Sequence, residues 1–473
     1  MLIVYSIIIP MQTVYTRNRL TFGLGTFGRD MVYSLVSMYL IFYLTDVIKL
    51  STSTLWWVSG IILAARIFDA LNDPIMGCIV DNTRTRWGKF KPWLVIGAPV
   101  SAVVTVLLFT DFNLTGGAYI AAFAVIYLLW GISYTIHDIS YWSMLPSLSV
   151  DQKEREKIGA IARICANIGL FLVVAGIVPL TSLLGKNFGG LQKGYFVFAV
   201  IVAFIMAAGM SITLFGVKET ALITDRKQGT PLRELLRIII RNDQLFFTAI
   251  AMSLFMIGYT TTASFGLYFF KYAYGNEGMY AVFAIVLGVS QITALAVFPL
   301  VSKIFERKTL FTGAIILISA GYIIFFFAPV TTMIFIGIGG TLIFIGQSFV
   351  QLLMLMFLAD SVDYGHWKLG KRNDSVTFSL QPLINKMGGA ISSGVVSAVI
   401  ILSGIKEADT AAEVTKGGLL MMKLAMLIFP LLCIAASYLI CRFKYKIDSR
   451  FYGQILSDLR EKGEIKTDAG PEK

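Results

Sequence analysis

The sequence predicts an all-α membrane protein with twelve transmembrane helices in two six-helix bundles, and three observations support this fold class. The 473 residues are 56% hydrophobic and 14% charged, whereas a soluble chain carries about 25% charged residues. Apolar runs recur from residue 22 to residue 441, and each approaches the roughly 20 residues that a helix needs to cross a bilayer. A polar, basic stretch divides these runs into two sets of six.

Helices are the expected form of these runs because the lipid core offers no water to backbone polar groups. The predicted domains are a first bundle at 1–216, a cytoplasmic central loop at 217–243, a second bundle at 244–441 and a cytoplasmic tail at 442–473. The predicted helices lie near residues 22–47, 53–80, 92–110, 116–145, 158–184 and 195–216, and then near 244–271, 278–301, 309–328, 331–358, 376–404 and 417–441.

Lysine and arginine concentrate in alternate loops and in both termini. Because cytoplasmic loops carry the excess of these residues, both termini are predicted to face the cytoplasm of a bacterial-type inner membrane. The apolar segment Met1–Pro10 lacks a basic region and a small-residue cleavage site, so no cleaved signal peptide is predicted. Either Met1 or Met11 can be the start of the chain.

The composition argues against several other classes of protein. The net charge of +12 predicts no nucleic-acid partner, because the basic residues follow the loops instead of one soluble face. Four scattered cysteines without a CxxC motif indicate neither a disulfide framework nor a metal site. Two histidines in different regions provide no zinc site and no nucleophile–base pair, so neither enzymatic activity nor a cofactor is predicted.

The two halves share a weak internal repeat. Helix two continues into Gly77–Lys89 and helix eight into Val301–Lys308, and both turns place an acidic residue before basic ones. Parallel six-helix repeats are the plan of the major facilitator superfamily, whose substrate site lies between the halves near the middle of the membrane. Two ordinary basic loops are the alternative interpretation.

Seven charged residues interrupt otherwise apolar helices. Each costs at least about 2.5–3.5 kcal/mol at the centre of a membrane helix, and the unpaired set would cost about 20 kcal/mol. We therefore expect them to face one another, or water, in a shared interior cavity; a purely structural network of salt bridges is the alternative. The residues are Asp30, Arg66, Asp69, Asp73, Asp138, Arg163 and Lys386.

Helical spacing collects oxygen ligands on helices two and four. Arg66, Asp69 and Asp73 stand at i, i+3 and i+7, which places them on one helix face, and Asn72 borders that face. Thr135 on helix four adds a hydroxyl. Hard cations prefer such oxygen donors, so the sequence predicts a Na⁺ site at Asp69 and Asp73.

The charge tally also favours a bound cation. The four buried acids exceed the buried bases Arg66, Arg163 and Lys386 by one negative charge, which Na⁺, Li⁺ or H⁺ would neutralise. Arg29 complicates this tally because it precedes Asp30. It points about 100° away around the helix, and it either extends toward the cytoplasm or joins the site.

Four residues suit a sugar ligand. Asp30 and Asp138 can each accept two hydrogen bonds from sugar hydroxyls, and Arg163 can donate a fork of them. Trp142 lies on the face of helix four that carries Asp138, and its ring offers a flat surface to the C–H face of a sugar. An ordinary core or interfacial aromatic residue is the alternative for Trp142.

Seven motifs follow one another along the chain: Gly25–Asp30, Tyr39–Val47, Arg66–Gly77, Arg84–Trp93, Tyr134–Pro146, Glu154–Glu156 and Ala359–Gly365. This ordered series resembles the glycoside–pentoside–hexuronide:cation symporters of the major facilitator superfamily. The similarity covers nearly the whole chain and is densest in the first half.

The resemblance implies symport of a glycoside with Na⁺, Li⁺ or H⁺ by alternating access. It also implies three groups of residues, of which the third couples transport or closes a cytoplasmic gate. The implied cation ligands are Asp69, Asn72, Asp73 and Thr135, the implied sugar contacts are Asp30, Arg29, Asp138, Trp142 and Arg163, and the implied coupling and gating residues are Arg66, Lys386, Asp363 and Arg372.

One transport alternative remains, a proton-coupled drug or metabolite antiporter of the same fold. Such a protein would favour a wide apolar cavity with one or two acids. A structural or receptor role would not retain so many costly buried charges. The predicted partners are a small sugar or glycoside, a monovalent cation and the lipid bilayer, and the protein is expected to act as a monomer.

Overall fold

Twelve long helices follow one another in the part of the chain that the computed structural model describes, residues 2–218, 221–223, 235–276, 279–330, 332–405 and 413–467. The first six are α1 (Leu2–Phe42), α2 (Thr52–Asn82), α3 (Lys91–Leu108), α4 (Gly116–Ser143), α5 (Gln152–Phe188) and α6 (Leu191–Gly216). The second six are α7 (Asp243–Tyr268), α8 (Met279–Ile304), α9 (Arg307–Phe327), α10 (Met333–Leu369), α11 (Asp374–Leu402) and α12, which runs from Lys416–Lys423 through a π-helical turn, Leu424–Ile428, into Phe429–Lys444.

Each predicted helix coincides with one of these twelve. Ten of the described helices are long and apolar enough to cross a membrane, and the bent pair Ser53–Asp69 and Asn72–Asn82 makes eleven. Helix α1, which coincides with the remaining predicted span, is not among these eleven. The differences lie at the ends, since α5 begins at Gln152 and α10 continues to Leu369. Polar residues at these ends are helical without being apolar, so hydropathy alone did not predict them.

Local signals fix several helix ends. The side chains of Asp151 and Asn242 accept hydrogen bonds from Lys153 N and Leu245 N, both at 3.0 Å, and cap α5 and α7. Such caps satisfy backbone donors that have no partner inside the helix. Gly370 ends α10 with a φ of 67°, a left-handed conformation that glycine adopts without steric cost.

Short elements lie outside the twelve helices. They include the helices Leu145–Leu148, Leu235–Arg241 and Ser449–Glu461. Strand β1 (Ala221–Ile223) pairs antiparallel with β2 (Ile465–Thr467). Residues 219–220 and 224–234 of the predicted central loop lie outside the described residues, as does Met1.

The chain forms two compact units. The first is built from Met1–Leu235 with Lys371–Ser379 and Leu459–Lys473, and the second from Leu236–Gly370 with Leu380–Asp458. The first turns of α11 therefore belong to the first unit, a feature that the predicted domain bounds did not include.

In the first unit, α1 packs against α5 and α6, α2 packs against α4, and α3 packs against α4 and α6. Small residues allow the closest approaches. A Cβ atom on Gly169 of α5 would collide with the Phe27 carbonyl of α1, and one on Gly28 would collide with the backbone of Met206 in α6. Glycine at such crossings lets membrane helices approach closely enough for van der Waals packing.

In the second unit, α9 packs against α10, α8 packs against α10, and α7 packs against α10 and α12. A buried hydroxyl contact ties three of these helices together. Thr262 Oγ1 lies 2.6 Å from Tyr322 Oη and donates to the Met426 carbonyl at 3.0 Å. Most of α10 is buried, so this helix forms the centre of the second unit.

Candidate sugar and cation site

Arg29 holds together two carboxylates from different helices. Its Nε and Nη2 atoms donate to Asp30 Oδ2 at 3.0 and 2.6 Å, and its Nη1 atom donates to Asp138 Oδ1 at 2.5 Å. Asp30 lies on α1 and Asp138 on α4. Hydrogen bonds between ionised groups are short and strong, so one guanidinium fixes both carboxylates at the same place in the first unit.

The structure decides between the two alternatives for Arg29. Neighbouring residues on a helix diverge by about 100°, yet the long Arg29 side chain bends back to Asp30, the next residue. The Arg29 side chain is 4% exposed, so it joins the cluster instead of extending to the cytoplasm. This pairing offsets the cost of placing three charges at membrane depth.

Trp142 contacts two guanidinium groups. The Cζ atoms of Arg29 and Arg163 lie 5.0 and 4.8 Å from the centroid of its ring, and an aromatic face attracts a cation at such distances. Phe22 and Tyr141 meet the ring edge-on, with centroids 6.0 and 5.7 Å away. Trp142 is consequently enclosed and only 5% exposed.

All residues predicted to contact the sugar thus lie in one cluster of the first unit, here called the sugar cluster. The side chains of Asp30 and Asp138 are 20% and 16% exposed, so both carboxylates remain accessible. The two acids and two arginines give the cluster a formal charge of zero. Its role in sugar binding stays a prediction. The sugar cluster consists of Arg29, Asp30, Asp138, Trp142 and Arg163.

Helix α2 bends where the predicted cation ligands lie. Its two parts, Ser53–Asp69 and Asn72–Asn82, meet at an angle of 43°. Pro74 explains the bend, because proline has no N–H to donate to the carbonyl four residues earlier and its ring clashes with that carbonyl.

Asp69 and Asp73 both lie against α4. Thr135 Oγ1 donates to Asp73 Oδ1 at 3.2 Å. A Cβ atom on Gly131 would stand 2.7 Å from Asp69 Oδ1 and 3.1 Å from Asp69 Oδ2, so the missing side chain allows this carboxylate to approach the backbone of α4. Gly131 and Thr135 are four residues apart and share a helix face. The two buried carboxylates therefore follow each other along one face of α4, and we call these four residues the carboxylate cluster.

Replacing Gly131 with alanine is expected to weaken cation binding several-fold. The added methyl group would meet Asp69 Oδ1 at 2.7 Å and displace the carboxylate from its position on α4. Sugar uptake should be measured against cation concentration, where we expect a higher half-saturating concentration and a similar rate at saturation. Gly117→Ala is the matched control, because no atom lies within 4 Å of a Cβ atom at Gly117. An unchanged half-saturating concentration in Gly131→Ala would contradict the assignment of Asp69.

The structure says less about the other predicted cation and coupling residues. Arg66 is exposed on α2 and lies near Tyr33 and Tyr127. Asn72 is half-buried on α2. Lys386 is half-buried on α11 in the second unit, so its predicted position beside the cation stays a prediction.

Asp81, at the end of α2, caps the start of α11 within the first unit. Its carboxylate accepts hydrogen bonds from Ser375 N at 3.0 Å and from Val376 N at 2.9 Å. Lys89 Nζ donates to Asp81 Oδ1 at 3.0 Å and to Asp374 Oδ2 at 2.5 Å. Burial opposes the charge of Lys89, but Asp374 and Asp81 outweigh burial and raise its pKa. In the acidic-then-basic turn after helix two, Asp81 is therefore a helix cap and Lys89 supplies its counter-charge.

The two predicted gating residues have separate partners. Arg372 Nε pairs with Asp374 Oδ1 at 3.0 Å in the first unit. In the second unit, Tyr452 Oη donates to Asp363 Oδ2 at 2.7 Å, and Tyr452 belongs to the helix Ser449–Glu461. Both residues lie in polar clusters near predicted cytoplasmic helix ends, and their part in closing a gate stays a prediction.

Three residues around the site were not predicted from the sequence: Gly131, Tyr127 and Tyr33. Gly131 and Tyr127 precede Thr135 by one and two turns of α4, and Tyr33 follows Arg29 by one turn of α1. Helical spacing alone could have included them. Glycine and tyrosine are too common in membrane helices for spacing to single them out, whereas a buried charge is conspicuous.

Comparison with known proteins identifies the family. A family model described as MFS/sugar transport protein matches residues 21–449. The chain belongs to this family. The raffinose carrier protein of Pediococcus pentosaceus is 33% identical over 468 residues, which are 95% of this chain and 72% of the carrier. The lactose permease of Lactobacillus delbrueckii subsp. bulgaricus is 32% identical over 456 residues, 93% of this chain and 72% of the permease.

The fold agrees with this family. The crystal structure of a fucose:proton symporter from Escherichia coli matches 93% of this chain and 100% of its own with a TM-score of 0.66 at 15% identity. The family model and these relatives confirm the predicted resemblance to glycoside–pentoside–hexuronide symporters and the major facilitator fold. The protein is a multi-pass sugar transporter, and membership of a family of transporters confirms that it is not an enzyme.

Proposed function

We propose that this sugar transporter takes up a glycoside together with Na⁺, Li⁺ or H⁺ by alternating access. It acts as a monomer in a bacterial inner membrane, with both termini in the cytoplasm. The cation binds at Asp69 and Asp73 with Asn72 and Thr135, and the sugar binds at the sugar cluster. The raffinose and lactose specificities named for the relatives support an oligosaccharide as the substrate.

One observation supports coupling between the transport of the sugar and that of the cation. Thr135 and Asp138 stand three residues apart on α4, and three residues separate neighbours on one helix face. Thr135 donates to Asp73 of the carboxylate cluster, whereas Asp138 accepts from Arg29 of the sugar cluster. A shift of α4 by either ligand therefore changes the position of a group that holds the other.

The charges of the two clusters fit the two substrates. The sugar cluster is formally neutral, which suits an uncharged glycoside. Asp69 and Asp73 together with Arg66 leave one negative charge in this part of α2, which a monovalent cation neutralises. A drug antiporter would need neither the paired carboxylates nor the two arginines of the sugar cluster, so the symporter is the better interpretation.

Uptake by the purified protein in proteoliposomes tests this proposal. Radiolabelled lactose and raffinose should accumulate inside vesicles when an inward gradient of Na⁺, Li⁺ or H⁺ is imposed, and should only equilibrate without a gradient. Addition of sugar should in turn drive entry of the coupling ion. Sugar equilibration that responds to none of the three gradients would contradict symport, and cation exchange that responds to lipophilic drugs but not to sugars would favour the antiporter.

A further inference from the structure

The loop between α2 and α3 presents three large side chains that the proposed transport mechanism does not use. Arg84, Arg86 and Trp87 are exposed, and 65% of the Trp87 surface is accessible. None of the three side chains makes a hydrogen bond, an ion pair or a ring contact with another described residue. By contrast, the Nε1 atom of Trp93 at the start of α3 donates to Thr83 Oγ1 at 2.7 Å. One tryptophan therefore stabilises this loop, and the other is left for a partner outside the chain.

A tight backbone turn holds the exposed side chains at the tip of the loop. Thr85 Oγ1 donates to the Gly88 carbonyl at 2.7 Å and accepts from Trp87 N at 3.2 Å. Gly88 N donates to the Thr85 carbonyl at 3.1 Å, and Gly88 has a φ of 87°, which glycine adopts without steric cost. Arg86 and Trp87 occupy the two central positions of this turn. We call Arg84–Gly88 the Arg–Trp turn.

The positive charge of the Arg–Trp turn is not neutralised by its surroundings. Lys89 pairs with both Asp81 and Asp374, and Arg372 pairs with Asp374. This group of two acids and two bases is formally neutral, so it offers no carboxylate to the two arginines of the turn. The Arg–Trp turn consequently carries two uncompensated positive charges beside an exposed indole ring.

The length of α2 indicates that the Arg–Trp turn lies at a membrane surface. Trp56 and Trp57, near the start of α2, are 76% and 67% exposed. A rise of about 1.5 Å per residue puts Trp57 at most about 38 Å from the last residue of α2, Asn82. A bilayer measures about 30 Å across its hydrocarbon core and about 40–45 Å with its headgroup layers. With Trp56 and Trp57 in one interface, Trp87 lies in the opposite headgroup layer, where tryptophan is enriched.

We propose that the Arg–Trp turn is a binding site for the headgroup of an anionic phospholipid. Arg84 and Arg86 pair with the headgroup phosphate, and the Trp87 ring lies at the boundary between headgroups and acyl chains, which suits a ring with an apolar body and a polar edge. Each arginine near an anionic membrane surface strengthens binding about fivefold. The site goes beyond the proposed symport, because it requires only that α2 and α3 span the membrane.

Quenching of tryptophan fluorescence by brominated lipids tests this site on the full chain. The purified protein is reconstituted in equal parts of phosphatidylglycerol and phosphatidylcholine, and either lipid carries bromine on its acyl chains near the headgroup. Because the chain has seven tryptophans, the signal of Trp87 is the difference between each protein and the same protein with Trp87→Phe. We expect stronger quenching by brominated phosphatidylglycerol than by brominated phosphatidylcholine. Arg84→Gln with Arg86→Gln should lower the preference for phosphatidylglycerol at least about tenfold.

Arg442→Gln with Arg450→Gln is the matched control, because it removes the same charge from two exposed arginines of the second unit. An equal loss of preference in this control would overturn the site, since general attraction of a basic protein to anionic lipid would then explain the result. Equal quenching of wild-type Trp87 by the two brominated lipids would also overturn it. Sugar and coupling cation are absent from these measurements, so a negative result would leave the proposed symport unaffected.

Inorganic phosphate distinguishes a lipid headgroup from a soluble anion. At an ionic strength held constant with chloride, added phosphate should leave the quenching of Trp87 by brominated phosphatidylglycerol unchanged. Loss of this quenching on addition of phosphate would assign the arginines to a soluble anion and contradict the lipid site. The three side chains are exposed, so the variants should fold, and their unfolding temperatures should match that of wild type in phosphatidylcholine alone.

Discussion

Replacing Asp73 with cysteine is expected to abolish cation-driven sugar accumulation, reducing it at least about 100-fold, while the protein stays in the membrane. Asp73 is buried against α4, and its Oδ1 accepts the Thr135 hydroxyl at 3.2 Å. Even groups that only orient the ligands of an ion are worth about 10–100-fold in affinity, so loss of a charged ligand should cost at least as much. Asp69→Cys should behave in the same way, because Asp69 is also on α2 and lies against the same face of α4.

Transport in proteoliposomes under imposed Na⁺, Li⁺ and H⁺ gradients measures this effect. Asp111→Cys is the control for the chemical change from aspartate to cysteine. Asp111 is exposed in the loop between α3 and α4, and its carboxylate accepts a hydrogen bond from the Gln192 side chain. Sugar exchange without a gradient should survive better than accumulation if the cation site alone is damaged. An Asp73→Cys variant that still concentrates sugar under any one of the three gradients would refute the cation assignment.

Replacing Arg29 with alanine is expected to abolish sugar binding and to lower the thermal stability of the protein. Two carboxylates from α1 and α4 depend on this guanidinium, and removing one partner of a buried ion pair costs about 3–5 kcal/mol. Arg29→Lys keeps the positive charge but not the fork that reaches both acids. Lysine is a point charge with three donors, so we expect Arg29→Lys to fold and to bind sugar about tenfold more weakly.

Unfolding temperature and sugar affinity should be measured on the same purified samples. Arg17→Ala and Arg17→Lys are the controls, because Arg17 lies on the same helix and donates to the Phe215 carbonyl at the exposed surface. Surface contacts of this kind contribute little to stability. Wild-type sugar affinity in Arg29→Ala would show that the carboxylates do not need the guanidinium, and the sugar cluster would then have to be assigned differently.

The site was predictable to the extent that its residues are charged. A carboxylate or guanidinium in an apolar helix carries a large cost, so Asp30, Asp69, Asp73, Asp138 and Arg163 were conspicuous in the sequence. The placement of Thr135 and Asp138 on one face of α4 also followed from their spacing of three residues. Residues whose role depends on shape gave no comparable signal. Gly131, for example, matters because the Asp69 carboxylate approaches it closely.

Sequence alone determined the membrane class, the positions of the twelve helices and the set of costly charges, because hydropathy and helical period are properties of neighbouring residues. Only the tertiary structure decided which charges pair. Arg29 bends back to Asp30 and reaches Asp138 on another helix, and Asp81 caps a helix that begins almost 300 residues later. Such contacts depend on how helices distant in sequence pack together, and no local pattern encodes that arrangement.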